Sequence, residues 1–332
     1  MCALFGATAQ QVDPEPTGLV KWLDIKTAQE LNKTQPKPMI IDVYTDWCGW
    51  CKHMMKTTFS NKDLANYINT YFYPVRLNAE TKDTIEFLDK KYINKSEGTR
   101  PPHDLAIYLL EGKMSYPTII FFNNNFKFKL IVPGYLSEKD IEPVLVYVVE
   151  YIFGTTSVED YRKYFLKAFY PDSADMKMDT VTWLKSFNEA AEKNDVKKKK
   201  TLLFVNAPWC NGGRTMLNST FNHSMITKYI NDHFYPVLMD AQSMDIVKYN
   251  NQIFVNTVDN NGFHPFLHNL LGDRIVLPTV LFFDEYMQYI NFTGQYLTPE
   301  NLYPILQYFS EDYYKNTPWN DYYKAYQEKN PK

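Results

Sequence analysis

Cysteine, glycine and long apolar runs are all scarce in this sequence. Its 332 residues contain four cysteines, too few for the disulfide scaffold of a small secreted protein, so any role they have is chemical. Only 12 glycines occur, which predicts dense packing rather than a loop-rich chain. No apolar stretch approaches the ~20 residues of a membrane span. The best candidate, residues 144–153, is short and is interrupted by Glu150.

An excess of basic charge is also missing. The net charge of −3 excludes the basic field that nucleic-acid binding needs, so no nucleic-acid partner is expected. A composition of 45% hydrophobic and 22% charged residues excludes wholesale disorder. Aromatic residues are abundant instead, with 26 Tyr and 22 Phe. At ~150 residues per domain, the length predicts about two domains, each with its own core.

The amino terminus has features of an export signal. Ala7-Thr8-Ala9 follows a short apolar run and is typical of a small-x-small cleavage site, although the basic n-region is missing. We therefore interpret residues 1–17 as the remnant of a signal peptide and an N-terminal tail, with Cys2 leaving with the signal. This predicts a periplasmic or otherwise exported protein. The alternative is a frayed cytoplasmic terminus.

Comparison of the chain with itself indicates an internal repeat. A shift of 162 residues places Trp47-Cys48 on Trp209-Cys210 and continues without a gap. It also places 67–69 on 229–231 and 72–75 on 234–237. Further on, 103–118 matches 264–279, and both blocks close with Pro-Thr. The sequence thus predicts two tandem copies of one domain, 18–170 and 176–332, joined by a polar linker at 171–175.

Both copies show the same order of predicted elements. Short continuous apolar runs are typical of buried parallel strands, and in the first copy they lie at 39–44, 73–77, 118–122 and 128–132. A helix is predicted over 61–71, with Ser60 and Asp63 as its capping pair. Helical material is predicted for the long segment before Pro117. Strands that alternate with helices and end in an antiparallel hairpin predict an α/β fold, a central mixed sheet flanked by helices.

Cys48-Gly49-Trp50-Cys51 lies between a predicted buried strand and the start of a helix, a context in which C-x-x-C indicates redox chemistry. A helix amino terminus has free N–H groups and a partial positive charge, which stabilise a thiolate. The first cysteine can attack a disulfide and the second can resolve the mixed disulfide. A zinc site would need two more ligands, and His53 is the only other local candidate, so no metal is expected.

At these residues the chain resembles the thioredoxin-like superfamily. The run 41–52, Ile-Asp-Val-Tyr-Thr-Asp-Trp-Cys-Gly-Trp-Cys-Lys, is similar to the family's strand, active-site and helix signature. Tyr116-Pro117-Thr118 resembles its cis-proline loop, and Gly134 resembles the glycine after its hairpin. The Trp-Cys-Gly-Trp-Cys-Lys variant is most similar to exported proteins of the thioredoxin-7 type and to the reducing domain of DsbD-like proteins. The resemblance covers both copies and is weakest between residues 77 and 114, where each is longer than a minimal thioredoxin.

The resemblance implies a role for each matching residue. Cys48 would be the nucleophile and Cys51 the resolving thiol. Asp42 matches the family's buried carboxylate, which relays the proton when Cys51 is activated; burial raises the pKa of a carboxyl group, so it can act as a base near neutral pH. Arg76 stands where the family carries a lysine near that aspartate, and Lys52 is a further supporting residue.

A substrate-binding surface is implied as well. Pro117 would adopt the cis form and, with Trp47, Trp50 and Tyr116, would hold a substrate strand near the sulfurs. Trp50 is also a departure from the family, because reducing thioredoxins carry proline there and strong oxidants carry histidine. Reduction potentials in these proteins span ~150 mV, so the direction of electron flow stays open.

The second copy has lost part of this set. The positions of the resolving thiol, the proton relay and its basic neighbour hold Gly213, Phe204 and Leu238, whereas Cys210 and Pro278 remain. A lone thiol cannot release its own mixed disulfide. The second copy is therefore interpreted as a binding or structural module with Cys210 as a relic. The alternative makes Cys210 a monothiol that captures substrates.

Together these features predict a thiol–disulfide oxidoreductase that exchanges disulfides with protein substrates through Cys48 and Cys51. Its partners would be protein thiols and disulfides and an upstream electron donor or acceptor protein, and it would need no cofactor beyond its own disulfide. The alternative is a binding or chaperone-like protein in which the redox pair is secondary. His103 and His264 occupy equivalent places in the two copies, which predicts a structural hydrogen bond rather than catalysis.

Overall fold

The computed structural model describes residues 18–95, 97–171, 180–257 and 262–330. The predicted signal remnant at 1–17, including Cys2, lies outside the described residues, as do residues 172–175 of the predicted linker. The chain divides into two compact units between Val149 and Glu150.

The first unit alternates helices and strands around one sheet. Its elements are α1 (Ile25–Thr34), β1 (Met39–Tyr44), α2 (Gly49–Lys56), α3 (Lys62–Tyr71), β2 (Tyr73–Asn78), β3 (Ile85–Phe87), β4 (Lys90–Tyr92), α4 (Asp104–Leu109), β5 (Thr118–Phe122), β6 (Lys129–Pro133) and α5 (Glu138–Val149). The four-stranded sheet has the order β2-β1-β5-β6, with β1 parallel to β2 and antiparallel to β5. This is the predicted α/β fold with a mixed sheet.

Burial explains why the central strands were recognisable in the sequence. The first five residues of β1 and all of β5 are buried, because helices cover both faces of the sheet. The capping pair predicted for α3 is wrong, however. Asn61 caps this helix by accepting the Leu64 N–H at 3.0 Å, whereas Ser60 lies in the preceding 3₁₀ turn and donates to the Met55 carbonyl.

The segment between β2 and β5 contains helical material before Pro117, as predicted, and also a hairpin that was not predicted. Strands β3 and β4 form an antiparallel hairpin anchored in the core by Phe87 and Tyr92, and α4 is the only helix described there. His103 caps α4: its Nδ1 accepts the Leu105 N–H at 3.1 Å, and its Nε2 lies 2.9 Å from the Asp83 carbonyl oxygen. The predicted structural role of this histidine is confirmed.

The second unit repeats the arrangement. Its elements are α6 (Val158–Phe169), α7 (Phe187–Val196), β7 (Lys200–Asn206), α8 (Asn211–Thr215), α9 (Ser224–His233), β8 (Phe234–Asp240), β9 (Val247–Tyr249), β10 (Gln252–Phe254), α10 (Pro265–Leu271), β11 (Thr279–Phe283), β12 (Tyr289–Gly294), α11 (Pro299–Ser310) and α12 (Trp319–Lys329). Its sheet, β8-β7-β11-β12, has the same order of equivalent strands as the sheet of the first unit. His264 caps α10 as His103 caps α4, and bonds the Phe266 N–H and the Asp245 carbonyl.

Helix α6 lies in the second unit, which differs from the predicted end of the first copy at residue 170. Tyr161 is fully buried, its ring packs edge-on against Tyr296 at 5.0 Å, and its hydroxyl is 3.3 Å from Thr215 Oγ1. The Tyr164 hydroxyl donates to Glu300 at 2.7 Å. The helix therefore covers the second core.

Candidate functional site

The C-x-x-C pair of the first unit lies where β1 leads into α2. Cys48 is the N-cap of the helix, and Cys51 lies in its first turn. The two are joined by a disulfide with an S–S distance of 2.07 Å. Both are almost fully buried, at 5% and 3% exposed, and the Cys51 N–H donates to Cys48 Sγ at 3.0 Å. The sulfur of Cys48 thus lies at the amino end of the helix.

The electrostatic environment of α2 favours a thiolate at Cys48. No acidic residue occurs in the first turn of the helix. The partial positive charge of the helix terminus is therefore not cancelled locally, and it stabilises an anionic sulfur when the disulfide is reduced.

Asp42 is buried on β1, with 2% of its surface exposed. Its Oδ2 accepts a hydrogen bond from Arg76 Nε at 3.3 Å, and its Oδ1 has no partner among the described residues. Burial raises the pKa of this carboxyl group to about 6, and the Arg76 guanidinium acts in the opposite direction without cancelling the effect. A carboxyl group with this pKa can accept and release a proton near neutral pH.

Arg76 connects this buried carboxylate to the surface. It pairs with Asp42 across the β1–β2 register, and its guanidinium lies 3.9 Å from the centre of the Tyr44 ring. The side chain is 23% exposed and lines an open cavity of about 510 Å³, together with Lys91 and Thr84. The guanidinium is thus held between the Asp42 carboxylate and a face of the molecule that water reaches.

Trp47 and Tyr116 form one side of the site. Trp47 is 52% exposed, and its ring packs edge-on against Tyr116 at 6.0 Å. Its Nε1 donates to Glu80 Oε1 at 2.8 Å, and the Arg100 guanidinium lies 5.4 Å from its ring. The Tyr116–Pro117 peptide bond is cis. The predicted substrate-binding residues Trp47, Tyr116 and Pro117 are therefore neighbours in space.

Trp50 forms the other side. It is 61% exposed and lies 5.6 Å from His53 and 5.5 Å from Tyr135, measured between ring centres. His53 is thus part of an aromatic cluster. Lys52, the predicted supporting residue, is exposed on the same helix. One exposed tryptophan directly precedes each cysteine of the buried disulfide.

The corresponding region of the second unit has a different set of residues. Phe204 pairs with Leu238 in the register in which the first unit pairs aspartate with arginine, so no buried carboxylate faces the thiol from this strand. Gly213 stands in place of the resolving cysteine. A Cβ atom at this glycine would lie 1.9 Å from Oδ1 of Asn206, which fills the space. In the second unit, apolar side chains and Asn206 therefore occupy the space at the positions that match Asp42, Arg76 and Cys51.

Cys210 is a free, buried thiol with 2% of its surface exposed. Its Sγ lies 3.6 Å from Glu150 Oε2. Burial, and next the negative charge of Glu150, raise the pKa of the thiol far above its usual range. These contacts oppose the hypothesis that Cys210 is a reactive monothiol.

Sequence reasoning missed Glu80, Tyr135, Asn206 and Glu150. Glu150 had been noted only as the residue that interrupts an apolar run. It lies 60 residues from Cys210 along the chain, so no local spacing could have revealed the pair. Glu80 and Gln242 occupy matching positions at the shift of 162 residues, and each accepts a hydrogen bond from the tryptophan of its own unit. The repeat could therefore have pointed to Glu80.

Two searches of the described residues found nothing. No helix there has the length and apolar character that crossing a membrane requires. No group of three or more His, Cys, Asp or Glu side chains there could hold a metal ion.

Solved structures of thioredoxin-fold proteins are similar to part of this chain. No curated protein matches the chain. Among solved structures, a thioredoxin-fold protein from Helicobacter pylori is 17% identical, with 40% of this chain and 81% of that chain covered at a TM-score of 0.31. The C-terminal domain of Neisseria meningitidis DsbD is 18% identical, with 35% and 88% covered at a TM-score of 0.24. A thioredoxin from Thermus thermophilus is 11% identical, with 45% and 88% covered at a TM-score of 0.27.

The family assignment rests on the sequence model for the thioredoxin-like domain, which matches residues 25–149. This range ends at the residue where the first compact unit ends. A thioredoxin-like fold that carries a C-x-x-C disulfide at a helix terminus has the general character of a thiol–disulfide oxidoreductase. Residues 25–149 of this chain are a thioredoxin-like domain.

Proposed function

We propose that the chain exchanges disulfides with protein substrates through Cys48 and Cys51. The observation that carries this proposal is the disulfide at the amino end of α2, with one sulfur at the N-cap and exposed tryptophans on both sides. Exposed aromatic surface next to a buried disulfide favours a protein over a small-molecule substrate, because a large partner covers the indole rings when it docks.

In the reducing direction the exchange takes two steps. The Cys48 thiolate attacks one sulfur of the substrate disulfide, an S–S bond forms between chain and substrate, and the other substrate sulfur leaves as a thiolate. Cys51, once deprotonated, attacks the Cys48 sulfur, closes the internal disulfide and releases the second substrate thiol. Two electrons pass to the substrate, and an upstream dithiol protein restores the reduced pair. The oxidising direction reverses these steps.

Asp42 is proposed to take up the proton of Cys51 before the second step. Its partly unpaired carboxylate and its pKa of about 6 suit a group that must gain and lose a proton near neutral pH. Arg76 is proposed as a positioning residue, because it holds Oδ2 and leaves Oδ1 without a protein partner.

The experiment that tests the proposal is reduction of insulin disulfides by the full chain with dithiothreitol as electron source. We expect turnover well above that of dithiothreitol alone, because the thiolate at the helix terminus attacks faster than a free thiol of ordinary pKa. A rate equal to that of dithiothreitol alone would contradict the proposal. A chain in which both Cys48 and Cys51 are serine is the matched control.

A second candidate function is substrate binding by the second unit, favoured by the outer face of the β9–β10 hairpin. Ile253 is 68% exposed and pairs with Lys248, while Ile246 and Val255 flank the neighbouring pair at 53% and 48% exposed. Strand residues alternate between two faces, so these side chains share the face opposite to the buried Val247. We propose that this face binds an extended apolar segment of a protein substrate.

The first unit provides an internal comparison for this face. At the repeat shift, Thr84 and Lys91 stand where the second unit has Ile246 and Ile253. Both line the open cavity beside Arg76, so these positions surround a polar groove in the first unit. The same positions have become apolar in the second unit while remaining exposed, which core packing does not require.

The test of this second candidate restores the first unit's residues. In the double variant Ile246→Thr and Ile253→Lys, we expect KM for an unfolded disulfide-containing protein to rise about tenfold, since removing ~50 Å² of apolar contact costs roughly 1.3 kcal/mol. Glutathione disulfide should be reduced at an unchanged rate, because it has no extended apolar segment that this face could bind. Tyr286→Thr, at another exposed site of the second unit, is the control. An unchanged KM for the protein substrate would reject this binding role.

A further inference from the structure

The Glu150 carboxylate is bound at the place in the second unit where the first unit has its redox pair. Its Oε1 accepts the Asn211 N–H at 2.8 Å, and its Oε2 accepts the Gly212 N–H at 2.6 Å. Cys210 Sγ lies 3.6 Å from the same Oε2. The carboxylate thus uses two backbone donors next to the only cysteine that the second unit retains.

The local sequence leaves room for this carboxylate. A Cβ atom at Gly212 would lie 2.7 Å from Glu150 Oε2, so any other residue here would displace the carboxylate from its present position. The equivalent position in the first unit is Trp50, which is not a glycine. The first unit does have a glycine one residue earlier, but a Cβ atom at Gly49 would meet nothing within 4 Å, so no bound group requires that glycine. A glycine at 212 is therefore a requirement of the bound carboxylate and not only the loss of a tryptophan.

The helix end also behaves differently in the two units. In the first unit, the Cys48 sulfur accepts the N–H of the residue three positions later. In the second unit, the N-cap Cys210 accepts no such hydrogen bond through its side chain, and the Gly213 and Gly212 N–H groups lower the pKa of its thiol without cancelling the effects of burial and of Glu150. The first donors of the helix turn instead to an anion that is already present, which leaves less stabilisation for a second anion on sulfur.

The charges around Glu150 do not offset its effect. Arg214 is the only cation on α8; its guanidinium contacts Asn211 and lies over the Phe169 ring. No ion pair of Glu150 occurs in the described parts of the chain. Burial raises the pKa of Glu150, and the hydrogen bonds from the Gly212 and Asn211 N–H groups offset this rise only in part. Both side-chain oxygens accept a backbone N–H, which is the hydrogen-bonding pattern of a carboxylate.

We propose that Glu150 is an internal occupant that silences the second thiol: its carboxylate takes the backbone donors of the helix end and keeps Cys210 protonated and closed to disulfide exchange. The second unit is then a thioredoxin-like domain that its own chain has switched off. The device would prevent Cys210 from forming a mixed disulfide that no second thiol of the unit could release.

The test uses a chain in which Cys2, Cys48 and Cys51 are serine, so that Cys210 is the only cysteine. The rate of alkylation by iodoacetamide is measured as a function of pH; the thiolate displaces iodide and forms an S–C bond. Glu150→Gln keeps the shape and an oxygen acceptor but removes the charge. We expect the midpoint of the rate–pH curve to fall by one or more pH units, and so the rate below the midpoint to rise ~10-fold or more. Glu159→Gln, on the exposed side of α6, removes a charge elsewhere and should change neither quantity.

The midpoint distinguishes silencing by charge from simple opening of the site. If Glu150→Gln only loosened the fold, the rate would rise at every pH while the midpoint stayed in place. That result, or a curve identical to that of the parent chain, would overturn the proposal. Insulin reduction by Glu150→Gln in the chain with its natural cysteines is a separate measurement, so failure of the redox function at Cys48 would be recognised independently.

Discussion

Replacement of Cys51 by serine is expected to convert the chain into a trap for its substrates. Without the second thiol, the mixed disulfide at Cys48 has no internal route of release and accumulates. Replacement of Cys48 is expected to abolish both trapping and turnover, because Cys48 is the N-cap of α2, where the helix terminus stabilises the attacking thiolate, whereas Cys51 lies inside the helix. Non-reducing electrophoresis of the Cys51→Ser chain, followed by mass spectrometry of the adducts, measures the trapped species.

Cys210→Ser is the matched control for this prediction. Since the structure buries this thiol beside a carboxylate, we expect trapping by a Cys51→Ser and Cys210→Ser double variant to equal that of Cys51→Ser alone. A Cys51→Ser chain that captures no protein, or a Cys48→Ser chain that keeps full insulin-reducing activity, would contradict the proposed function.

Asp42→Asn is expected to stabilise the first unit near neutral pH while slowing its chemistry. Burial raises the pKa of Asp42 from its ordinary value of 3.8 to about 6, so the folded chain holds this proton more tightly than the unfolded chain. Stability therefore falls as the pH rises from about 4 through about 6, and the loss is complete above that range. A pKa rise of this size corresponds to on the order of 3 kcal/mol, which asparagine would recover at neutral pH but not in acid.

Denaturant unfolding of the oxidised chain on both sides of this pH window measures the effect. Asp46→Asn changes an exposed aspartate near the same site and should show no comparable pH-dependent gain. A variant as unstable at neutral pH as the parent chain would refute the prediction. If Asp42 also relays the proton, exchange by the variant should slow by ~10²-fold near neutral pH, since positioned proton transfer contributes about that factor.

The elements of the first unit show which features a local sequence pattern can predict. Strands β1 and β5 were predicted at their observed bounds because burial on both faces leaves a continuous apolar run in the sequence. The C-x-x-C pair was predicted between a buried strand and the start of a helix, as observed, because its spacing and its flanking strand are both local. The β3–β4 hairpin was missed because strands of three residues are too short for a periodic pattern.

The sequence alone determined the mixed α/β fold, the redox pair and the loss of its partners in the second copy, because each leaves its mark within a few residues or at a constant shift along the chain. Only the tertiary structure showed two contacts that no sequence spacing encodes. Helix α6 covers the second core, and the Glu150 carboxylate accepts backbone N–H groups beside Cys210. Both contacts join residues that are far apart in the sequence and meet only in the folded chain. A carboxylate 60 residues away along the chain comes to 3.6 Å from a sulfur only when the chain has folded.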